Sequence, residues 1–116
     1  MLRIAAFLLI FAAIPVSLRA EITTAQVLGD YGVSSGVRPI WGVAFNNTYL
    51  GFVRSNDFLV KMRKDKPLFC VPGNRKITAA LLVETLTAET RRRPELAGAG
   101  WRDALLLALV DQYPCH

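Results

Sequence analysis

The sequence has few of the residues from which enzyme active sites are built. It contains one histidine and two cysteines, and the histidine is the last residue, His116. No Ser/His/Asp or Cys/His set can therefore be assembled for nucleophilic catalysis. A glycine-rich phosphate loop and a cluster of metal ligands are missing as well. We expect a protein that is not an enzyme and that uses no metal or other cofactor.

A pattern for β-strands is also missing, because no long run of alternating β-branched residues occurs after the first 20 residues. The apolar residues recur at helical spacings instead. They predict an all-α fold, a small bundle of about four helices.

The one long apolar run lies at the N-terminus and is typical of a signal peptide. Arg3 precedes an apolar stretch from Ile4 to Ile14, Pro15 breaks it, and Ala20 offers a cleavage position. The stretch is shorter than the roughly 20 residues that a bilayer-spanning helix needs, so a retained anchor is the weaker alternative. We expect residues 1–20 to be removed on export. Residues 21–116 then form one domain without a membrane span.

Charge gives no indication of a nucleic-acid partner. Removal of Arg3 and Arg19 leaves 12 of the 14 basic residues against 9 acidic ones. Nucleic-acid binding requires basic residues clustered on one face, which this weak excess does not indicate. Export also argues against such a partner.

The two cysteines, Cys70 and Cys115, are expected to form a disulfide, because an exported domain meets an oxidising compartment. A zinc site and a C-x-x-C redox motif are the weaker alternatives, since the ligands are too few and the spacing does not fit. The bridge would close a loop of about 45 residues, which stabilises a small domain by roughly 4 kcal/mol in the chain-entropy model.

Two helices are predicted before Cys70. Thr23 or Thr24 can cap a short first helix that ends at Gly29 or Gly32. A second helix has Pro39 in its first turn and is expected to run out between Lys61 and Pro67, where the proline forces it to stop. Its buried stripe is predicted to contain Trp41, Phe45, Thr48, Phe52, Ser55 and Leu59. The cations from Lys61 to Lys66 either complement the dipole of this helix or bind an acidic or anionic partner.

Two further helices are predicted after Cys70. Thr78 caps the third, in which Glu89 is spaced to meet Arg92 and Arg93, and Pro94 ends it. The fourth runs from Trp101 to about Tyr113 and is apolar around most of its circumference. Such a helix is central to the core or shared with another protein.

The order of several short segments in the second half is moderately specific. Phe69-Cys70-Val71-Pro72 precedes the Thr78 helix, Arg93-Pro94 and a small-residue linker follow it, and the last helix ends in Tyr113-Pro114-Cys115. In this order, residues 68–115 resemble the C-terminal part of the Rap/Tai family of periplasmic immunity proteins. Members of that family protect bacteria from cell-wall amidases delivered by type VI secretion. Many members carry a further cysteine pair in the first half, which this chain lacks.

The resemblance implies a periplasmic, all-helical and often dimeric protein that places a loop between two helices in the active site of a peptidoglycan amidase. On this chain the loop corresponds to residues 91–100. A purely structural role for the arginines, at the end of a helix, is equally open. We expect reversal of Arg92 and Arg93 to glutamate to weaken binding without unfolding the domain. The residues expected to contact the amidase are Arg91, Arg92, Arg93, Glu95, Leu96 and Leu107.

Two other functions fit the same sequence. One is a general periplasmic binding or chaperone-like helical module, which would use the apolar last helix and the Lys61–Lys66 stretch for unspecific contacts. The other is an envelope-associated protein that has kept the fold without a toxin partner.

Overall fold

The computed structural model describes residues 21–33, 36 and 38–116, so the predicted signal peptide lies outside the described residues. The described chain forms four α-helices and no strand. The all-α prediction is therefore confirmed. The helices are α1 (Thr24–Val33), α2 (Arg38–Met62), α3 (Ala79–Arg92) and α4 (Trp101–Gln112), with a 3₁₀ helix (Pro94–Gly98) between α3 and α4. None of the described helices combines the length and apolar character needed to cross a membrane.

The first helix continues past both glycines at which its end was predicted. Gly29 and Gly32 lie within α1, and a glycine inside a helix costs only about 1 kcal/mol. Arg38 stabilises the end of α1, because its Nε donates to the carbonyl of Tyr31 at 2.8 Å. Its guanidinium also lies 5.4 Å from the centre of the Tyr31 ring. This contact satisfies a carbonyl that the end of the helix leaves without an intrahelical donor.

The second helix contacts the core mainly through its first half. Pro39 lies in its first turn, as predicted, and Phe45 is its one fully buried residue. The predicted stripe fails at Ser55, which is exposed, while the neighbouring Asn56 is partly buried. The Asn56 side chain donates to the carbonyl of Phe69 at 2.9 Å and accepts from the backbone of Leu68 at 2.8 Å. The side of α2 that faces the core is therefore shifted by one residue from the predicted position, and the side chain that lies there is a polar amide bonded to the backbone of the next segment.

The end of α2 lies within the predicted stretch from Lys61 to Pro67, but the chain leaves the helix before it reaches the proline. The helix ends at Met62, and Lys64 adopts the left-handed conformation with a φ of 56°. The backbone N–H of Asp65 then returns to the carbonyl of Leu59 at 2.9 Å. A left-handed residue after the last turn is a common way to end a helix, although glycine usually occupies it.

The core lies where α3 and α4 pack against each other and against the first half of α2. The Trp101 ring is 4.9 Å from Phe45 and 5.7 Å from Trp41, measured between ring centres. Five residues of α4 are buried, so the apolar circumference of this helix serves the interior of the domain. The other buried members of the core cluster are Val27, Phe69, Leu82, Leu86, Ala104, Leu105 and Leu109.

A disulfide joins Cys70 to Cys115, as predicted, across a sequence separation of 45. The backbone N–H of Cys70 also donates to the carbonyl of Tyr113 at 2.8 Å. The segment before α3 is thereby joined to the end of α4. Thr78 caps α3, since its side chain accepts from the N–H of Leu81 at 3.1 Å.

Candidate protein-binding site

The end of α3 carries a cluster of four charged residues that joins it to α4. Nη2 of Arg92 lies 3.0 Å from both carboxylate oxygens of Glu89, and Nε of Arg93 lies 3.3 Å from one of them. The same two arginines reach Oδ2 of Asp111, at 3.2 and 3.0 Å. Glu89 is 1% exposed. Two guanidinium groups therefore bridge a buried carboxylate and a partly buried one.

This cluster confirms the predicted pairing of Glu89 with Arg92 and Arg93. It also changes what the variant with glutamate at both Arg92 and Arg93 can test. Glutamates at both positions would add two acidic side chains to a site that already holds Asp111 and the buried Glu89, and no cation would remain between them. Such a variant leaves a buried charge uncompensated and destabilises the domain, so it cannot report on binding alone.

Arg91 differs from the two arginines that follow it. It is exposed, and the four salt bridges among the described residues all use Arg92 or Arg93. Its charge is therefore free for an external partner, as far as the described part of the chain goes.

The connection from Arg93 to Trp101 has a fixed backbone. Within it, the N–H of Leu96 donates to the carbonyl of Arg93 at 3.0 Å, and the N–H of Ala99 donates to that of Leu96 at 3.1 Å. Pro94 opens the 3₁₀ helix and removes one backbone degree of freedom. Consecutive turns therefore hold the connection in one shape.

The start of the described chain holds the far end of this connection. The backbone N–H and the hydroxyl of Thr24 both donate to the carbonyl of Ala99, at 2.9 and 3.1 Å. The N–H of Trp101 donates to the carbonyl of Ile22 at 3.2 Å. Thr24 is fully buried. This anchor joins segments 75 residues apart.

The predicted contact residues are only partly brought together as an accessible surface. Pro94 and Glu95 are exposed at the tip of the 3₁₀ helix, next to the Arg92 and Arg93 cluster. Leu96 is partly buried and packs against the core, which leaves less of it for a partner. Leu107 is partly buried and lies one turn before Asp111, on the same side of α4.

The other residues of the family-like pattern lie around the disulfide and at the start of α3. Phe69 is buried, and its ring centre is 6.3 Å from that of Tyr49. The carbonyl of Pro72 accepts from the N–H of Arg75 at 3.0 Å in the turn that follows. Pro114 is exposed between Tyr113 and the disulfide. These residues build the stapled end of the domain.

Two shallow grooves flank the disulfide. One, of about 350 Å³, lies between α2 and the Pro67–Val71 segment; its walls include Tyr49, Val53, Asn56 and Phe69. Burial, and secondly the proximity of Tyr113, raise the pKa of the Tyr49 phenol above 10.0. The other groove, of about 340 Å³, includes Pro72, Tyr113, Pro114 and His116. Among residues 21–33, 36 and 38–116, no three metal-ligating side chains come together.

Two parts of the site were missed at the sequence level. Asp111 lies in the last turn of α4, where a negative charge opposes the helix dipole, and this unfavourable placement was the available sign of a cationic partner. The anchor of Thr24 on Ala99 had no comparable sign, because the acceptor is the backbone carbonyl of Ala99, a group that every residue carries.

Comparisons with models of protein families, with curated proteins and with solved structures give no match to this chain. The fold and the site themselves define a small helical domain with one disulfide and a charged connection, between α3 and α4, that backbone hydrogen bonds hold in place.

Proposed function

We propose that the protein is a periplasmic immunity protein that binds and inhibits a peptidoglycan amidase effector by occluding its active site. The observation that carries the proposal is the connection from Arg93 to Trp101. It is exposed at its tip, held by backbone hydrogen bonds at both ends, and flanked by arginines.

A fixed connection suits the occlusion of an enzyme cleft. Binding costs less free energy when the inserted loop already has its bound shape, because fewer side chains and backbone angles must be ordered. Pro94 and Glu95 form the tip, and Arg91 adds an unpaired cation on the adjoining turn. A few residues of this kind can carry most of the affinity of an interface.

The stapled architecture and the N-terminal sequence support the proposed location. A disulfide persists in oxidising compartments such as the bacterial periplasm. The apolar run that begins at Ile4 would direct the chain there. The resemblance over residues 68–115 supplies the partner class, and it also leads us to expect a homodimer.

The test is a calorimetric titration of residues 21–116 against a peptidoglycan amidase encoded by a neighbouring gene of the same genome. Arg91→Glu with Glu95→Arg reverses two exposed charges that take part in no described salt bridge, so folding should be unaffected. We expect a loss of affinity of more than about tenfold, as for a hot spot. Arg75→Glu with Lys76→Glu, in the turn before α3, is the control; it lowers the net charge by four, whereas the first pair leaves it unchanged, and it should still bind as the wild type does.

Circular dichroism and light scattering accompany the titration, to check folding and the number of copies. If the wild type binds with high affinity and only the control pair weakens it, the contact surface lies near the stapled end. If the wild type shows no binding and no inhibition of peptidoglycan cleavage, the immunity function is wrong.

A general helical binding module is the second candidate, favoured by the large apolar side chains that α2 exposes. It would bind unrelated unfolded chains with similar affinity, whereas an immunity protein would discriminate by orders of magnitude. Competition between the amidase and reduced, unfolded lactalbumin distinguishes the two.

A further inference from the structure

The second helix exposes a row of apolar side chains on the side that faces away from the core. We call Ile40, Val43, Leu50, Phe58 and Met62 the outer stripe; these residues are between 53% and 71% exposed. Their spacings place them on one side of the helix. The core contacts of α2 are made by the other side, through Trp41, Phe45, Tyr49 and Phe52. The outer stripe therefore has no partner among the described residues.

Cations lie within the outer stripe and at its end. Arg54 precedes Phe58 by one turn, and Lys61 follows it by one turn. Arg63, Lys64 and Lys66 come directly after the helix, and all five cations are exposed. None of them takes part in a salt bridge in the described structure. Asp57 and Asp65 are the acids of the same segment, so positive charge predominates.

Lys64 supplies an independent observation. Its left-handed backbone, with a φ of 56°, is a conformation that glycine adopts without cost. A lysine at this position sacrifices backbone stability and adds a cation to the end of the outer stripe. The left-handed conformation itself belongs to an ordinary helix end, so it is the choice of a cation in place of glycine that bears on a partner.

From this arrangement we infer that the outer stripe of α2 binds the surface of an anionic phospholipid bilayer. Apolar side chains that alternate with cations suit the boundary between lipid headgroups and acyl chains. There the apolar side chains contact the acyl chains, and the cations contact the phosphates. Each cation near an anionic bilayer adds to the attraction.

A second copy of the chain fits this surface less well. In a symmetric antiparallel contact, the basic end of one α2 faces Arg38 of the other, and in a parallel contact the two basic ends face each other. Like charges meet in both arrangements. An acidic protein would match the cations, but it would leave the widely spaced apolar side chains without a common pocket. The inference is independent of the amidase.

The test is flotation of the protein with lipid vesicles. The chain is expressed with its own N-terminal segment and purified in the form that the cell releases. Vesicles of equal parts phosphatidylglycerol and phosphatidylcholine are compared with pure phosphatidylcholine. We expect binding to the anionic vesicles only, weakening as salt is raised. Arg54→Gln with Lys61→Gln should reduce partitioning by about thirtyfold, since two surface cations are lost. Phe58→Ser should reduce it by about tenfold.

Matched controls distinguish the stripe from charge or apolarity elsewhere. Arg75→Gln with Lys76→Gln removes two exposed cations from another segment, and Val33→Ser removes an exposed apolar side chain from α1. Both should partition like the wild type. Lys64→Gly should weaken partitioning several-fold while the melting temperature stays the same or rises, which no purely structural role of Lys64 explains.

Three results would overturn the inference. One is the absence of flotation with anionic vesicles. Another is an equal loss of partitioning in the control variants. The third is a concentration-dependent dimer that Phe58→Ser dissociates, in a protein that binds no vesicles; the second copy would then be the occupant.

Discussion

Nη2 of Arg92 lies 3.0 Å from each carboxylate oxygen of Glu89, and the two side chains differ sharply in exposure, 61% for the arginine and 1% for the glutamate. The buried carboxylate is thus neutralised from the solvent side. Arg93, 43% exposed, reaches the same carboxylate. Both arginines also form salt bridges with Asp111, so they join the last turn of α3 to the last turn of α4.

We predict that the two arginines can replace each other in part. Arg92→Ala or Arg93→Ala alone should lower the free energy of unfolding by about 1 kcal/mol, because the remaining arginine still pairs with Glu89 and solvent screens these half-exposed groups. The double variant should lose about 3 kcal/mol, since it leaves a buried carboxylate without a cation. Urea unfolding followed by circular dichroism measures all three.

Arg91→Ala is the control for this series and should change the free energy of unfolding by less than about 0.5 kcal/mol, as exposed substitutions do. A double variant whose loss equals the sum of the single losses would show that the cluster does not act as a unit.

The disulfide is expected to supply a large share of the stability of the domain. Cys70→Ala with Cys115→Ala removes a bridge across 45 residues. The free energy of unfolding should fall by about 2 to 5 kcal/mol. The measurement is the urea midpoint of the variant, compared with that of the wild type with and without a reductant. A variant whose midpoint matches the oxidised wild type would contradict the expected contribution.

Local features of this fold were readily predicted from the sequence. The Thr78 cap, the pairs of Glu89 with Arg92 and Arg93, and the start of α2 beside Pro39 each depend on residues within one turn of each other. Their geometry is fixed by the helix itself, whatever the rest of the chain does. The disulfide followed from the count of two cysteines and the expected export to an oxidising compartment.

Contacts between distant segments were not predictable in the same way. Asp111 completes the charge cluster from another helix, and Thr24 is anchored on Ala99 across 75 residues. Helical spacing says which residues share a face, but not which face meets which helix. For the same reason the prediction placed Ser55 in the core. In the structure Asn56 lies there instead and bonds to Leu68 and Phe69, so the buried side of α2 is shifted by one residue.

Thr24 is predicted to control the rigidity of the connection between α3 and α4. Thr24→Val keeps the shape of the buried side chain and removes the hydroxyl that donates to Ala99. The free energy of unfolding should fall by about 1 kcal/mol. The amide of Trp101, bonded to Ile22 beside the anchor, should also exchange with solvent faster.

Thr90→Val is the matched control for this change. Its hydroxyl bonds the carbonyl of Leu86 within α3, so its loss should leave the exchange of the Trp101 amide unaltered. If both variants accelerate that exchange equally, the anchor has no special role in holding the connection.

Tyr49 is predicted to make the domain less stable in alkaline solution. Its pKa in the folded protein is raised above 10.0, chiefly because burial disfavours the phenolate and secondly because the Tyr113 phenolate repels it. Unfolding releases this restraint, so the unfolded chain loses its proton at lower pH. The stability associated with Tyr49 is therefore complete below about pH 10, the ordinary value for tyrosine, and is lost as the pH rises through the higher folded pKa.

Urea midpoints between pH 8.5 and pH 11 test this dependence. Tyr49→Phe should show a smaller decline in stability over that range than the wild type, because no phenol at position 49 remains to ionise on unfolding. Tyr113→Phe should show an intermediate decline, since it removes the repulsion and leaves Tyr49 partly buried. If the decline is the same in Tyr49→Phe and in the wild type, another group governs the alkaline limit.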